Sequence, residues 1–392
     1  MCYAIPGKVI DITGRVATIE YFGEPKKAYT DLLGVKIGDY AYAQGGFLIQ
    51  KLDPQEAQEI LTDWRELFFK LQETDKKITA KPQTLYERAN AVRQKHQGNS
   101  CCVHGILEFS NYCIQNCLYC GIRKDNSTLS RYRMDVPEIL DAVDNAVKLG
   151  FKALVLQSGE DPYYDKSKME SIVREIRNRY PILLFVSIGE RDIEIYKSLY
   201  DLGARGALIR FETSNPDIYC KMKPDSDMEK RLGLIKKLRQ IGYLIVTGFL
   251  IGLPGEKKGD ILRNIKLTSE LGAEMFSFGP FIPHPQTPLK DSEKPNLTGM
   301  YKTIARARLM DPEAKILVTT ALETLDKQNA AKQALLAGAN SLMINVTPAK
   351  YRKFYDIYPQ RFGVDLDTQE HINKVIELLK SLGRAPTDLS VS

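Results

Sequence analysis

At 392 residues the chain is too long for one ordinary domain, and a hydrophobic fraction of 43% can fill a sizeable core. Its 55 basic and 49 acidic residues leave a formal charge of only +6, with no basic run and no aromatic–basic interleaving, which argues against nucleic acid as a partner. The start, Met1-Cys2-Tyr3-Ala4-Ile5-Pro6-Gly7, lacks a charged n-region and a long apolar h-region, and no apolar run is long enough to span a bilayer. A cytoplasmic protein with no membrane partner is expected. There, seven cysteines point to metal binding or catalysis rather than to disulfides.

Residues 1–72 predict a small all-β barrel with a C-terminal helix. Lys8–Ile12, Val16–Tyr21, Tyr40–Ala43 and Phe47–Lys51 are rich in β-branched and aromatic residues, and Gly14, Gly23-Glu24-Pro25, Gly38-Asp39 and Gly45-Gly46 read as the turns between them. Asp53-Pro54 then starts a helix, an N-cap followed by proline at N1, running through Trp64 to about Gln72. Residues 73–103 read as a polar linker and a leading helix.

From 104 to 392 short apolar runs alternate with amphipathic helices. The expected strands are Ile106–Phe109, Leu154–Gln157, Leu183–Ile188, Ala207–Arg210, Ile245–Ile251, Met275–Phe278, Ile316–Thr319 and Leu342–Asn345. Eight β-α units at this spacing predict an α/β fold, a parallel TIM-like (β/α)8 barrel.

Cys113, Cys117 and Cys120 lie in a Cys-x3-Cys-x2-Cys segment directly after the first barrel strand. Three thiolates within eight residues can wrap one compact metal centre. Thiolates suit iron–sulfur clusters and zinc alike. A structural zinc site wants a fourth Cys or His, and the next 50 residues contain neither.

This spacing, with Tyr119 before the third cysteine, resembles the signature of the radical S-adenosylmethionine (SAM) superfamily. The resemblance implies a [4Fe–4S] cluster on these three cysteines, with SAM on the open iron and an electron donor such as ferredoxin or flavodoxin. Ser158-Gly159-Glu160 resembles that family's Gly-Gly-Glu segment, which implies a seat for the SAM ammonium. Glu212 is implied at the ribose hydroxyls, Arg231 at the SAM carboxylate, and Ile251-Gly252-Leu253 beside the adenine.

From Gly105 to Arg361 the chain resembles, within that superfamily, the HydE family of [FeFe]-hydrogenase maturases. The segments that carry the likeness include Leu107–Asn111, Tyr119–Asn126, Arg131–Met134, Leu156–Tyr164, Gly279–Pro285, Thr319–Ala321 and Thr347–Arg352. Methylornithine synthase and biotin synthase are more distant on these segments. The resemblance implies an organometallic iron substrate carrying CO, cyanide and cysteine. Candidate substrate-facing residues are Gln157, Ser187, Arg210, His284, Thr319, Thr320, Tyr351 and Tyr355. Two departures stand out: no cysteine follows Cys220, so a C-terminal accessory cluster is expected to be absent, and Phe211 stands where that family commonly has histidine.

The N-terminal segment from Met1 to Val9, with Gly38-Asp39-Tyr40 and Gly46–Asp53, resembles HypC, a small hydrogenase-maturation chaperone family. That implies iron on Cys2 and hydrogenase maturation proteins as partners, although Gln44 replaces the family's usual histidine. Cys101 and Cys102, just before the first strand, read as exposed or packed residues rather than spare ligands, and Cys220 as core. Alternative functions are a radical SAM mutase acting on an amino acid and a metal-carrying chaperone without catalysis.

Overall fold

The computed structural model describes residues 3–390. Cys2 therefore lies outside the described residues. The chain opens with β1 (Gly7–Thr13), β2 (Val16–Tyr21), β3 (Glu24–Tyr29), β4 (Tyr40–Gln44) and β5 (Phe47–Leu52), closed into a barrel of order β1-β2-β3-β5-β4. The turn expected over Gly23-Glu24-Pro25 overlaps the start of β3. The turn is instead the two residues Phe22-Gly23, both at positive φ (50° and 90°), and Tyr21 pairs with Glu24 across it. A two-residue hairpin whose twist matches its strands requires that backbone sign, which releases Glu24-Pro25 into the next strand.

Helix α1 (Pro54–Thr79) is capped by the Asp53 carboxylate, which accepts from Gln55 N at 2.8 Å. It runs about two turns beyond the expected end, into the segment expected to be a linker. The cause is tertiary. Asp75, fully buried, takes both Arg93 Nη1 and Nη2 at 2.7 Å from α2 (Leu85–Gln97), and Arg384 Nε stands 3.3 Å away. A polar-looking helix end is thus held by a buried bidentate pair.

The large sheet follows: β6 (Ser100–Ser110), β7 (Ala153–Ser158), β8 (Leu183–Ser187), β9 (Ala204–Leu208), β10 (Leu244–Thr247), β11 (Leu250–Ile251), β12 (Met275–Phe276), β13 (Gly279–Pro280), β14 (Lys315–Ile316) and β15 (Ser341–Asn345). Eight of these pair in parallel in the order β14-β12-β10-β9-β8-β7-β6-β15, and a bridge from Leu317 to Ser341 joins the two ends into a barrel. The single strand expected over Ile245–Ile251 is broken at Gly248, whose missing side chain lets the backbone lie against Ser277; β11 then pairs with β13 as a separate short ladder. A last strand, β16 (Ala385–Pro386), pairs beside the start of β6.

The small barrel plugs the N-terminal end of the large one. Tyr42, Phe47, Ile49 and Leu52 share one apolar cluster with Val155, Leu183, Phe185 and Val246. At the contact, Gly45 has φ +56°, and a Cβ there would come within 2.6 Å of Leu183 Cδ2. The opposite end, where the strands finish, stays open around a cavity.

Candidate functional site

That cavity, of about 280 Å³, is lined by Cys113, Cys117 and Cys120 on one side. The loop bearing them has little secondary structure of its own and is held from outside. Arg131 Nη1 donates to Asn111 O at 2.6 Å and Ile122 O at 2.8 Å, while Leu118 N donates to Met222 O at 2.9 Å. Gly121 N bonds Ile357 O at 2.9 Å, and a side chain at Gly121 would strike both Asp356 O and His284.

Glu160 is laced to the same loop. Its backbone N–H donates to Cys113 Sγ at 3.4 Å, its carbonyl accepts from Ile114 N at 3.0 Å, and Gln115 Nε2 reaches its carboxylate at 2.8 Å. Gly159 makes this approach possible, because a Cβ there would collide with Tyr112 O and lie 2.9 Å from Cys113 Cβ. Ser158 turns its hydroxyl to Gly159 O at 2.7 Å.

Arg231 lines the same cavity as the cysteine loop. Its guanidinium is buried between two carboxylates, Glu190 at 2.8 Å and Glu160 at 3.4 Å. Burial acts against its charge, yet these two carboxylates hold its pKa above the usual arginine value. Its charge is shared with these carboxylates, and it helps to hold Glu160 in place.

Glu212 adopts φ +69°, one of only three non-glycine residues at positive φ among those described. Such backbone strain persists where the surroundings over-determine it, typically at functional sites. Its Oε2 is buried without a hydrogen-bond partner among the described residues, with Arg210 Nε 3.5 Å away in an electrostatic contact only. Phe211, beside it, packs on Phe249 and does not line the cavity.

Of the remaining expected site residues, Gln157, Ser187, Arg210, Thr319, Thr320, Tyr355 and Tyr119 line the cavity. Gln157 bonds the Tyr355 hydroxyl, and Thr320 Oγ1 lies 2.6 Å from Tyr358 OH. His284 and Tyr351 do not line it. His284 Nε2 meets Asp356 at 2.9 Å and its Nδ1 accepts from Gln286 N at 3.0 Å, so it braces the cysteine loop. Tyr351 stacks on Tyr132 and bonds Glu138 at 2.6 Å. Ile251, Gly252 and Leu253 also stay behind the wall; Leu250 is the residue of that segment that lines it. Cys220, expected in the core, is exposed.

Sequence reasoning missed Lys223, Glu108 and Arg361. Lys223 Nζ stands 3.2 Å from Cys117 Sγ. Burial acts against its charge, but Cys117 and nearby carboxylate charge hold its pKa above the usual lysine value. Glu108 and Arg361 form a buried pair at the cavity, and Asn345 donates to Glu108 at 2.9 Å. An inward-pointing glutamate on a barrel strand was the available signal for that pair.

The residues fit a [4Fe–4S] cluster with SAM. Burial pushes the Cys113 thiol up to about 11 and Cys120 higher still, the other sulfurs adding to the latter. Such thiols ionise when a metal centre supplies the compensating charge. The unpartnered Glu212 oxygen and the pinned Glu160 carboxylate offer acceptors to a polar ligand in the same cavity.

A parallel barrel with this cysteine loop at its open end defines a radical SAM enzyme, and the Radical SAM superfamily model matches residues 107–268. The HupF/HypC family model matches residues 1–64, and the Biotin and Thiamin Synthesis associated domain matches residues 277–385, which the sequence reading did not anticipate. The [FeFe] hydrogenase maturase subunit HydE of Thermotoga maritima is 38% identical over 304 residues, covering 78% of this chain and 87% of that protein. Solved structures of methylornithine synthase (TM-score 0.68, 23% identity, 82% of this chain and 97% of that one) and of HydG from Carboxydothermus hydrogenoformans (TM-score 0.67, 21% identity, 85% and 81%) share the fold. The chain belongs to the HydE family of radical SAM enzymes and carries a HypC-like module at its N-terminus. The cofactors of that superfamily are a [4Fe–4S] cluster and SAM. No helix among the described residues is long and apolar enough to cross a membrane.

Proposed function

We propose that Cys113, Cys117 and Cys120 hold the cluster, and that the enzyme acts in assembling the iron cofactor of an [FeFe]-hydrogenase, as the name of its Thermotoga relative suggests. The observation that carries this reading is the convergence, in one cavity, of the three thiols with Glu160 and the strained, unpartnered Glu212. When bound, the reduced cluster supplies the electron that cleaves SAM into methionine and a 5′-deoxyadenosyl radical. The protein does the rest. Glu160, fixed by Arg231 and Gln115, accepts from the SAM ammonium. Glu212 accepts from the ribose hydroxyls, and Tyr119 covers the cysteine loop. Arg231, with Lys223 beside Cys117, supplies the positive charge for the SAM carboxylate.

Beyond SAM the cavity deepens over an apolar floor of Ile106, Leu208, Leu317 and Met343. Hydroxyl and amide donors ring it: Ser187, Thr319, Thr320, Gln157 and Asn345. This suits a compact anion with several acceptor atoms, such as an iron complex carrying cyanide and cysteine. A ferredoxin or flavodoxin is the fitting electron donor. We take residues 1–72 and 104–392 as the two modules, the first working with other hydrogenase maturation proteins in the cytoplasm.

The test is anaerobic reconstitution with SAM and a reductant, reading 5′-deoxyadenosine. A synthetic iron–carbonyl–cyanide–cysteine complex is expected to accelerate its formation and be consumed. Acceleration by an amino acid alone, with a rearranged product, would overturn the substrate assignment. Survival of SAM cleavage after replacing Cys113, Cys117 and Cys120 by Ala would overturn the cluster assignment.

A further inference from the structure

A second group of metal-ligating side chains lies at the other end of the large barrel, under the small one. Cys102 and His104 alternate along β6 and so face the same way, into the barrel. Asp388, from the segment just after β16, completes the group. A sulfur, an imidazole nitrogen and a carboxylate oxygen of the three residues all lie within 4.8 Å of one another, and all three residues are buried. The closest pair is His104 Nε2 to Asp388 Oδ2, at 3.2 Å.

The surroundings hold the group in place. Lys152 N donates to Asp388 O at 2.8 Å, and Thr387 Oγ1 donates to the Asp388 carboxylate at 2.8 Å. The His104 ring lies beside Phe185, with centroids 5.2 Å apart. These are supporting contacts of the kind that orient metal ligands.

The group also lines a small cavity of about 20 Å³. That is room for one water or one ion, not for an organic ligand. Its wall includes Gly45 of the small barrel and, on the solvent side, Glu274, an exposed residue, with Lys315. His104 Nδ1 is buried and has no hydrogen-bond partner among the described residues. Gln44, next to Gly45, is wholly buried with both amide atoms likewise unpartnered. Buried polar atoms without partners are uncommon in native proteins and call for an explanation.

We propose that Cys102, His104 and Asp388 form a second metal site, for a borderline divalent cation such as Zn²⁺ or Fe²⁺, distinct from the cysteine loop at the open end. Thiolate, imidazole and carboxylate together are the ligand set such ions take. Bonds of about 2.0–2.3 Å put ligand atoms of a tetrahedral site roughly 3.3–3.8 Å apart, so the group closes on an ion with small shifts. The charges agree. A thiolate and a carboxylate carry two negative charges, which a divalent ion makes neutral with a neutral imidazole. Glu274 lines the solvent side of the cavity, and a water completes the shell. A bound ion ties the first strand of the large barrel to the last segment of the chain, at the seam where the small barrel docks.

Cluster-loaded full-length protein, given one equivalent of Zn²⁺ under anaerobic conditions and desalted, is expected to retain one zinc per chain. Zinc K-edge absorption should show a single sulfur neighbour at about 2.3 Å with lighter atoms completing the shell. C102S and D388N, both close in shape to the parent, are each expected to weaken zinc binding at least about tenfold against a competing chelator. Cluster absorbance and SAM cleavage serve as controls for the fold. Three results would overturn the site: no zinc retained, a zinc shell with no sulfur or with two or more (which places the ion on the Cys113 loop), or unchanged zinc affinity in folded variants. If C102S does not fold, D388N decides.

Discussion

The two ends of the large barrel obey different rules. At the end where the strands finish, polar groups converge, the backbone is strained at Glu212, and the cysteine loop is held by hydrogen bonds from outside itself. At the end where they begin, apolar side chains of two barrels interlock and Gly45 lets them touch. Parallel barrels place chemistry at the C-terminal ends of their strands and stability at the N-terminal ends. The Cys102–His104–Asp388 group is the exception, and it sits at the seam between the two modules.

Variants should separate the two ends, and the largest effect belongs to the buried pair near the seam. Arg93→Ala leaves Asp75 buried without its bidentate partner and is expected to cost about 3–5 kcal/mol in urea unfolding, with the KM for SAM of the folded protein unchanged. At the open end, Gly159→Ala forces the Glu160 segment away from Cys113. A misplacement near 1 Å there predicts about a 10²-fold loss of 5′-deoxyadenosine formation, with a normal circular dichroism spectrum. A Gly159→Ala protein with full activity would refute the close approach.

Gly45→Ala tests the plug. Overpacking against Leu183, at a backbone angle that disfavours a side chain, is expected to lower stability by about 1–3 kcal/mol without altering kcat. Glu212→Gln keeps the shape but removes the charge, and should raise the KM for SAM by about tenfold, equivalent to about 1.4 kcal/mol, measured from initial rates of SAM cleavage.

A pH dependence probes the seam end. Burial acts against the His104 imidazolium, but Asp388 more than offsets this and raises its pKa from 6.5 to about 9. In metal-free protein the folded state therefore holds a proton that the unfolded chain releases near 6.5. The stability from this pair is full below about pH 6.5 and is lost as pH rises through about 9. The urea midpoint should fall across that window in wild type, and His104→Gln should flatten the slope.

Much of this was legible in the chain itself. All eight barrel strands follow from alternating apolar runs, helices and glycine stops, and their order needs only the parallel-barrel rule. The cysteine spacing, Glu160 and Glu212 were readable because each sits directly after a strand, where local sequence fixes position. His284 and Tyr351 misled because motif neighbours in sequence need not face the same cavity; one braces a loop and the other stacks on Tyr132. Glu108 gave only its place on a barrel strand, and Lys223 and Arg361 gave no local signal, since a charged residue in a polar stretch looks solvated until the fold buries it. The helix end at Asp75 failed for the same reason.

The sequence by itself determined the two modules and the barrel type, which rest on periodicity, and the chemistry of the cysteine loop, through its resemblance to the radical SAM signature. Only the tertiary structure decided which carboxylates Arg231 serves, how the small barrel plugs the large one, and that Cys102, His104 and Asp388 meet. Those contacts join residues up to 286 positions apart. No local pattern encodes such a meeting; it follows from closing the barrel and burying its last segment against its first strand.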